Sequence, residues 1–323
     1  MSSFLKKLGL FFLLCVLLTG AIAGAYAFVY HVSCRHFPSP PLSDSYSLNE
    51  KLEFLRMSKK DVPVLAIGSS IALNNLHSET VAKRIPGGNF LNTSSWGMNM
   101  SDNYALLKTV YEVYHPKTLI IASSISEFEL PAKKADYKLV EKYLTASSVE
   151  ASLYHVKCFN LRYYMDNTKY KKLVTSVKNQ YEYLVFDQYG GVNIDDTDFK
   201  IDERRWKADF DKKRMSQANY DYLDSISSFC KSRQIRLLFF QSPFREGIYS
   251  NLSDEKSADL KAHVNRISAI LERDEHQLID ANKVLWNDSL FIDGEHFSAK
   301  GAKAFTEYCF DQLNRRTVEG IIH

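Results

Sequence analysis

The chain has no C-x-x-C pair, no long basic run and no arginine-rich stripe, and each absence removes a class of function. Its five cysteines, Cys15, Cys34, Cys158, Cys230 and Cys309, are too scattered for a zinc ribbon or a thioredoxin-type redox site. The 41 basic and 38 acidic residues are interspersed and leave a net charge of +3, without the basic stripe that tracks phosphates, so nucleic acid is not expected as a partner. His77, His115, His155, His263 and His276 show no metal-ligand spacing. Asp195, Asp196 and Asp198 lack the glycine and terminal glutamate of a calcium loop and read as a solvated acidic stretch. No metal and no other cofactor is expected.

What is present is a large apolar fraction. With 323 residues, 45% hydrophobic and 24% charged, the chain can bury a substantial core as one large domain, with or without an insertion. Lys6 and Lys7 precede an apolar stretch from Leu8 to Tyr30 without a charged residue. About 20 such residues cross the hydrocarbon core as a helix. Residues 1–31 therefore read as an N-terminal membrane anchor or signal segment. The positive charge on its short side keeps that end cytoplasmic and predicts an extracytoplasmic body, periplasmic or extracellular. Ala25-Tyr26-Ala27 offers a cleavage site, and cutting after Ala27 would secrete the protein; the continuing Phe28, Val29 and Tyr30 favour a retained anchor. No lipobox-like cysteine closes the stretch. An oxidising compartment would allow one or two disulfides among the last four cysteines.

Residues 32–60, rich in Pro38, Pro40, Pro41 and serines, read as a linker with a short helical pattern at 52–57, so that the folded domain is expected over 61–323. Beyond it, strand-like segments at 62–67, 89–92, 118–123, 235–241 and 277–280 alternate with helical patterns at 71–84, 102–114, 219–233, 254–273 and 299–314. This βαβ alternation predicts an α/β fold: a three-layer α/β/α sandwich, flavodoxin-like, with a parallel sheet of about five strands. Its binding crevice would lie at the carboxyl ends of the strands where the winding reverses.

The loops expected on that rim are Gly68-Ser69-Ser70, Ser94-Ser95-Trp96-Gly97, Ser124-Ile125-Ser126-Glu127, Ser242-Pro243, and the segment holding Asp293 and His296. A serine hydroxyl is a poor nucleophile at neutral pH; it needs an imidazole to take its proton and a carboxylate to hold that imidazole. Asp293 and His296, three residues apart before a helix, can supply both or can simply cap the helix, and their spacing alone leaves both readings open.

Block by block, the chain resembles the SGNH (GDSL-like) hydrolase superfamily. The strand Val64-Leu65-Ala66-Ile67 with Gly68-Ser69-Ser70 is similar to the first block, with Ser69 where an aspartate usually stands and Ser70 as the implied nucleophile. Gly97 falls where the second-block glycine donates its N–H to the oxyanion, and 293–302 resembles the last block, with Asp293 as orienter and His296 as base. The third block departs: Ser124-Ile125-Ser126-Glu127 stands where a glycine and an asparagine are usual, leaving Ser126 to complete an oxyanion hole with Ser70 and Gly97. Losing such a donor costs about 10² to 10³ in rate, so Asn99 could substitute. Ser69, Trp96, Asn99 and Glu127 are the candidate lining of the substrate pocket.

With the N-terminal helix, the resemblance extends to membrane-anchored SGNH-like proteins of bacterial surface-polymer acylation. It implies an exported serine acyl-esterase or O-acyltransferase working through an acyl-enzyme on a cell-surface glycan or other acyl ester, beside a multi-spanning membrane acyltransferase. A catalytically silent anchored scaffold and a simple exported esterase or lipase are the alternatives. The resemblance does not cover the insertion at about 129–215, whose many tyrosines read either as a sugar platform or as the insertion's own small core.

Overall fold

The computed structural model describes residues 2–33, 38–58, 61–133, 135–176, 182–195, 206–207 and 210–319. Five strands, β1 (Val64–Ile67), β2 (Phe90–Asn92), β3 (Thr118–Ser123), β4 (Arg236–Gln241) and β5 (Gln277–Asp280), form one sheet in the order β2-β1-β3-β4-β5. Every pairing is parallel. The helices, in chain order, are α1 (Ser2–Ser33), α2 (Tyr46–Met57), α3 (Ser70–Asn75), α4 (Ser78–Arg84), α5 (Met100–Tyr114), α6 (Tyr137–Thr145), α7 (Ser148–Lys157), α8 (Leu161–Ser176), α9 (Gln217–Ser232), α10 (Glu246–Tyr249), α11 (Asp254–Arg273) and α12 (Ala299–Glu319).

The two-residue period of the strands sorts their side chains into two cores. Leu65, Ile67, Leu119, Ile121, Leu237 and Phe239 meet α2, α5, α6, α9 and α11 on one face. Ala66, Ile120, Ala122, Leu238 and Phe240 meet α3, α4 and α12 on the other. The fold is thus the expected α/β sandwich with both faces covered, which is why β3 and β4 are almost continuously apolar. From β1 the chain steps outward to β2, then crosses back to β3 and onward, so the loops after β1 and β3 diverge and open a crevice at their carboxyl ends.

Three expectations need correction. Residues 38–58 are not a linker: Leu48, Leu52 and Leu55 are fully buried, and Lys51 Nζ donates to Asn92 O and Gly190 O. The i, i+4, i+7 spacing of those leucines after the Ser45 N-cap outweighs the preceding Pro- and Ser-rich composition. The single helix expected at 71–84 is two, α3 and α4, because the chain leaves helical geometry at Leu76 and the His77 ring caps α4 by accepting from Thr80 N. Cys15, Cys158, Cys230 and Cys309 are free thiols, Cys230 and Cys309 buried in opposite cores; Cys34 lies outside the described residues.

Residues 3–22 are by length and composition apolar enough to cross a membrane. The insertion after β3 contributes α6, α7 and α8, with Tyr143, Tyr154 and Tyr164 buried, which favours the core reading of those three tyrosines. Its return segment lies along α3, with Val192 N donating to Leu73 O and Asn193 Nδ2 to Asn74 O, and then meets the start of α12, where Ala299 N donates to Ile194 O. Of the acidic stretch, Asp196 and Asp198 lie outside the described residues.

Candidate active site

β1 ends at Ile67 and the chain turns at Gly68, where φ is +151° and a Cβ would stand 2.5 Å from Ala72 Cβ and 2.9 Å from Ala122 O. Only glycine fits there. The turn puts Ser69 at the N-cap of α3 and Ser70 at its first helical position. The Ser70 N–H, one of the orphan donors of a helix start, has no hydrogen-bond partner among the described residues.

Asp293 and His296 sit on a loop closed by a bridge between Phe291 and Phe297 and by the Ile292 N–H donating to His296 O at 2.8 Å. Asp293 Oδ1 accepts the N–H of Glu295 at 2.8 Å and of His296 at 2.7 Å, and Oδ2 lies 2.8 Å from His296 Nδ1. His296 Nε2 lies 2.9 Å from Ser70 Oγ. Because a carboxylate only accepts, the Asp293 contact assigns the proton to Nδ1 and turns the Nε2 lone pair toward the serine. Burial works against charge on both partners, yet their mutual attraction and hydrogen bond prevail: His296 is held above the usual histidine value and Asp293 below the usual carboxylate value. The structure therefore brings Ser70, His296 and Asp293 into one hydrogen-bonded chain at the crevice, and the pair is more than a helix cap.

Asn75, which the sequence does not single out, ties the two halves together. Fully buried at the end of α3, it accepts the Phe297 N–H at 2.8 Å and donates to Glu295 O at 2.9 Å and Ser242 Oγ at 3.0 Å. One amide thus registers the serine helix against the histidine loop. Its only sequence signal is a polar residue at a position of α3 that ought to be apolar.

The remaining candidates fare unequally. Gly97 has φ +65°, and its N–H has no partner among the described residues; its loop is held beside the nucleophile turn by Thr93 N donating to Ala66 O and Ser95 N to Gly68 O. Ser126 is not available as drawn: its hydroxyl and that of Ser124 both bind Glu295 Oε2, at 2.5 and 2.6 Å, and one O–H cannot also serve an oxyanion. Asn99 is no substitute, since its side chain caps α5 by accepting from Asp102 N and its amide donates to Leu130 O. Ser69 is 1% exposed and gives its hydroxyl to Glu127, so neither lines an open pocket. Glu127 also accepts the Ile71 N–H at 3.3 Å; burial pushes its carboxyl up to about 7 against the pull of these donors. Trp96 packs against the cluster of Leu73, Val174, Leu184 and Val192 formed with the insertion, the packing alternative for that residue.

Glu295 is the acid that sequence reasoning passed over, although it stands between the two assigned residues. Burial raises its carboxyl above the usual value, opposed by the two serine hydroxyls. Around the imidazole there are thus three carboxyls, Asp293, Glu295 and Glu127, each engaged by neutral donors or by the histidine. Among the described residues no cluster suited to a metal ion occurs.

Fold and geometry together define an α/β protein with a serine-histidine-aspartate chain at its topological switch point. A protein-family model matches residues 203–317, the part holding Asp293 and His296. A comparison with curated proteins finds no match. Among solved structures, the chain is similar to a candidate acylhydrolase from Bacteroides fragilis (10% identity, 84% of this chain and 96% of the other, TM-score 0.43). It is also similar to a GDSL-like lipase from Bacteroides thetaiotaomicron (12%, 77% and 88%, TM-score 0.36) and to an acetylxylan esterase from Geobacillus stearothermophilus (12%, 79% and 94%, TM-score 0.39). None of these scores reaches 0.5, so the functional reading stands on the chain's own geometry.

Proposed function

We propose that the protein is an SGNH-type serine acyl-esterase or acyltransferase, held at the membrane by its N-terminal helix, with an extracytoplasmic body that acts on acyl esters of a cell-surface glycan or other envelope polymer. The observation that carries the reading is the Ser70–His296–Asp293 chain, with heavy-atom distances of 2.9 and 2.8 Å. Ser70 Oγ attacks the ester carbonyl as His296 Nε2 takes its proton; Asp293 holds the imidazole and stabilises the imidazolium. The N–H groups of Ser70 and Gly97, without partners among the described residues, are the donors for the tetrahedral oxyanion. Collapse expels the alcohol, protonated by His296, and leaves an acyl-serine. A sugar hydroxyl or water, deprotonated by the same imidazole, then takes the acyl group. The surface-polymer context and a multi-spanning acyltransferase partner are carried by the resemblance of the motifs and by the apolar N-terminal helix.

The test is a fluorophosphonate probe on the full chain in detergent, with the adduct located by mass spectrometry. Labelling at Ser70, abolished in Ser70→Ala, is expected. A folded protein that leaves Ser70 unlabelled would overturn the reading. The engagement of Ser126 by Glu295 favours a second reading, an anchored scaffold without turnover. Normal polymer acylation in cells carrying only Ser70→Ala would select it.

A further inference from the structure

Among the described residues, seven of the twelve exposed large apolar side chains outside α1 lie from Val149 to Leu173. On α7, Val149, Leu153 and Val156 follow i, i+4, i+7 and share one face, while Ala151 and Tyr154 bury the other against the domain. Phe159, Leu161 and Met165 continue the apolar surface over the turn and the first part of α8, whose Tyr164 and Val174 point inward. These six side chains are 49% to 76% exposed. A helix pair that already buries one face and still carries an apolar outer face is built to meet something.

The position of the hairpin in the chain identifies what it meets. Ser39 O accepts a hydrogen bond from the hydroxyl of Tyr163 in α8 at 3.1 Å, and Lys171 of the same helix pairs with Glu50 at 2.7 Å. Ser33, the last residue of α1, precedes Ser39 by six positions, which reach at most about 20 Å at roughly 3.3–3.6 Å per residue. The hairpin is therefore fastened to the point where the chain arrives from the membrane. Its charge agrees: with Lys171 committed to Glu50, 148–176 still carries Lys157, Arg162, Lys169 and Lys172 against Glu150 and Asp166. Apolar residues beside exposed lysines and arginines are the signature of a surface that lies in the headgroup region of an anionic bilayer.

We infer that the α7–α8 hairpin is a membrane-docking surface, which seats Val149, Leu153, Val156, Phe159, Leu161 and Met165 at the headgroup boundary of the bilayer that holds α1. The inference rests on the reading of residues 8–30 as a retained anchor and is independent of the acyl chemistry. Docking holds the body in one pose on the membrane instead of letting it swing on its tether.

The full chain is reconstituted into phosphatidylcholine vesicles containing phosphatidylglycerol, with and without dibrominated acyl chains, and retention through carbonate extraction checks the anchor separately. Val156→Trp and Leu285→Trp, both at exposed positions outside the core, are compared after subtracting the native tryptophan signal. Bromolipid is expected to quench the Val156→Trp emission by at least a third and leave Leu285→Trp unchanged. Equal quenching of the two in carbonate-resistant vesicles overturns the docking surface. Val156→Trp shielded from aqueous acrylamide but untouched by bromolipid overturns it in favour of a protein partner, a second copy included. A chain that carbonate releases overturns the anchor itself.

Discussion

At the scale of single residues, the site rests on who holds which proton. Asp293 is an acceptor for three N–H groups, so Asp293→Asn offers a donor where the imidazole needs an acceptor and turns the ring to the wrong tautomer. A kcat loss of about 10⁴ is expected, with fluorophosphonate labelling slowed in parallel. Ser126→Ala provides the opposite control. Because Glu295 already takes its hydroxyl, kcat should change less than tenfold, whereas loss of a working oxyanion donor costs about 10² to 10³. A drop in that larger range would return Ser126 to the oxyanion hole. The base must be neutral to act, and His296 is held above the ordinary histidine value, so the acidic limb of kcat/KM on a short-chain aryl ester should have its midpoint above 6.5. A midpoint at or below that value contradicts the Asp293 pairing.

At the scale of elements, Asn75 and Gly68 position α3 against its neighbours. Asn75→Ala removes three hydrogen bonds, two of them buried, and strands a donor and an acceptor of the histidine loop, at about 1–3 kcal/mol each. The histidine loop then drifts relative to Ser70, and a displacement of about 1 Å can cost 10²-fold in turnover. The expected signature is kcat falling more than stability explains, measured beside urea unfolding; a variant that loses stability but keeps full kcat would deny the clamp. The same scale decides the fate of α2. Leu52 on its inner face is fully buried, so Leu52→Ala should cost about 2–5 kcal/mol in urea unfolding. Deleting residues 1–31 should leave the melting temperature of the body unchanged, and deleting residues 1–60 should unfold it. A stable protein beginning at residue 61 would restore the linker reading.

At the scale of the whole molecule, buried acids couple folding to pH. Glu127 is raised to about 7, so between the ordinary carboxylate value and about 7 the folded chain keeps a proton that the unfolded chain has released, and stability falls as pH rises through that window. Glu295 acts in the same sense. Asp293, held low, adds stability that is lost as pH falls through its folded value. His296, held high, adds stability that is complete below its unfolded pKa and lost as pH rises through its folded one. Urea midpoints from pH 5 to 8 should therefore decline for the native chain and decline less for Glu127→Gln. An unchanged slope in the variant would show that Glu127 is ionised throughout.

Much of this molecule was legible in one dimension because the relevant physics is local. Strand and helix periods placed all five strands, and parallel β-α-β winding carries the loops after β1 and before α12 to one rim; the choice of Ser70 over Ser69, with Asp293 and His296 as its partners, came from the resemblance of the motifs to the SGNH blocks. Glycine with positive φ at 68 and 97 belongs to the same class of local signal. Partnership is a different matter, because a side chain with one proton to give is committed by whatever lies nearest in space. Nothing in the order of residues says that Glu295 takes the Ser126 hydroxyl, that Asn99 spends itself on capping α5, or that Asn75 bridges α3 to a loop 220 positions away. The residues before 61 failed as a linker for the same reason, since turn-rich composition describes the unbound chain while burial of Leu48, Leu52 and Leu55 depends on a sheet formed by residues that come later.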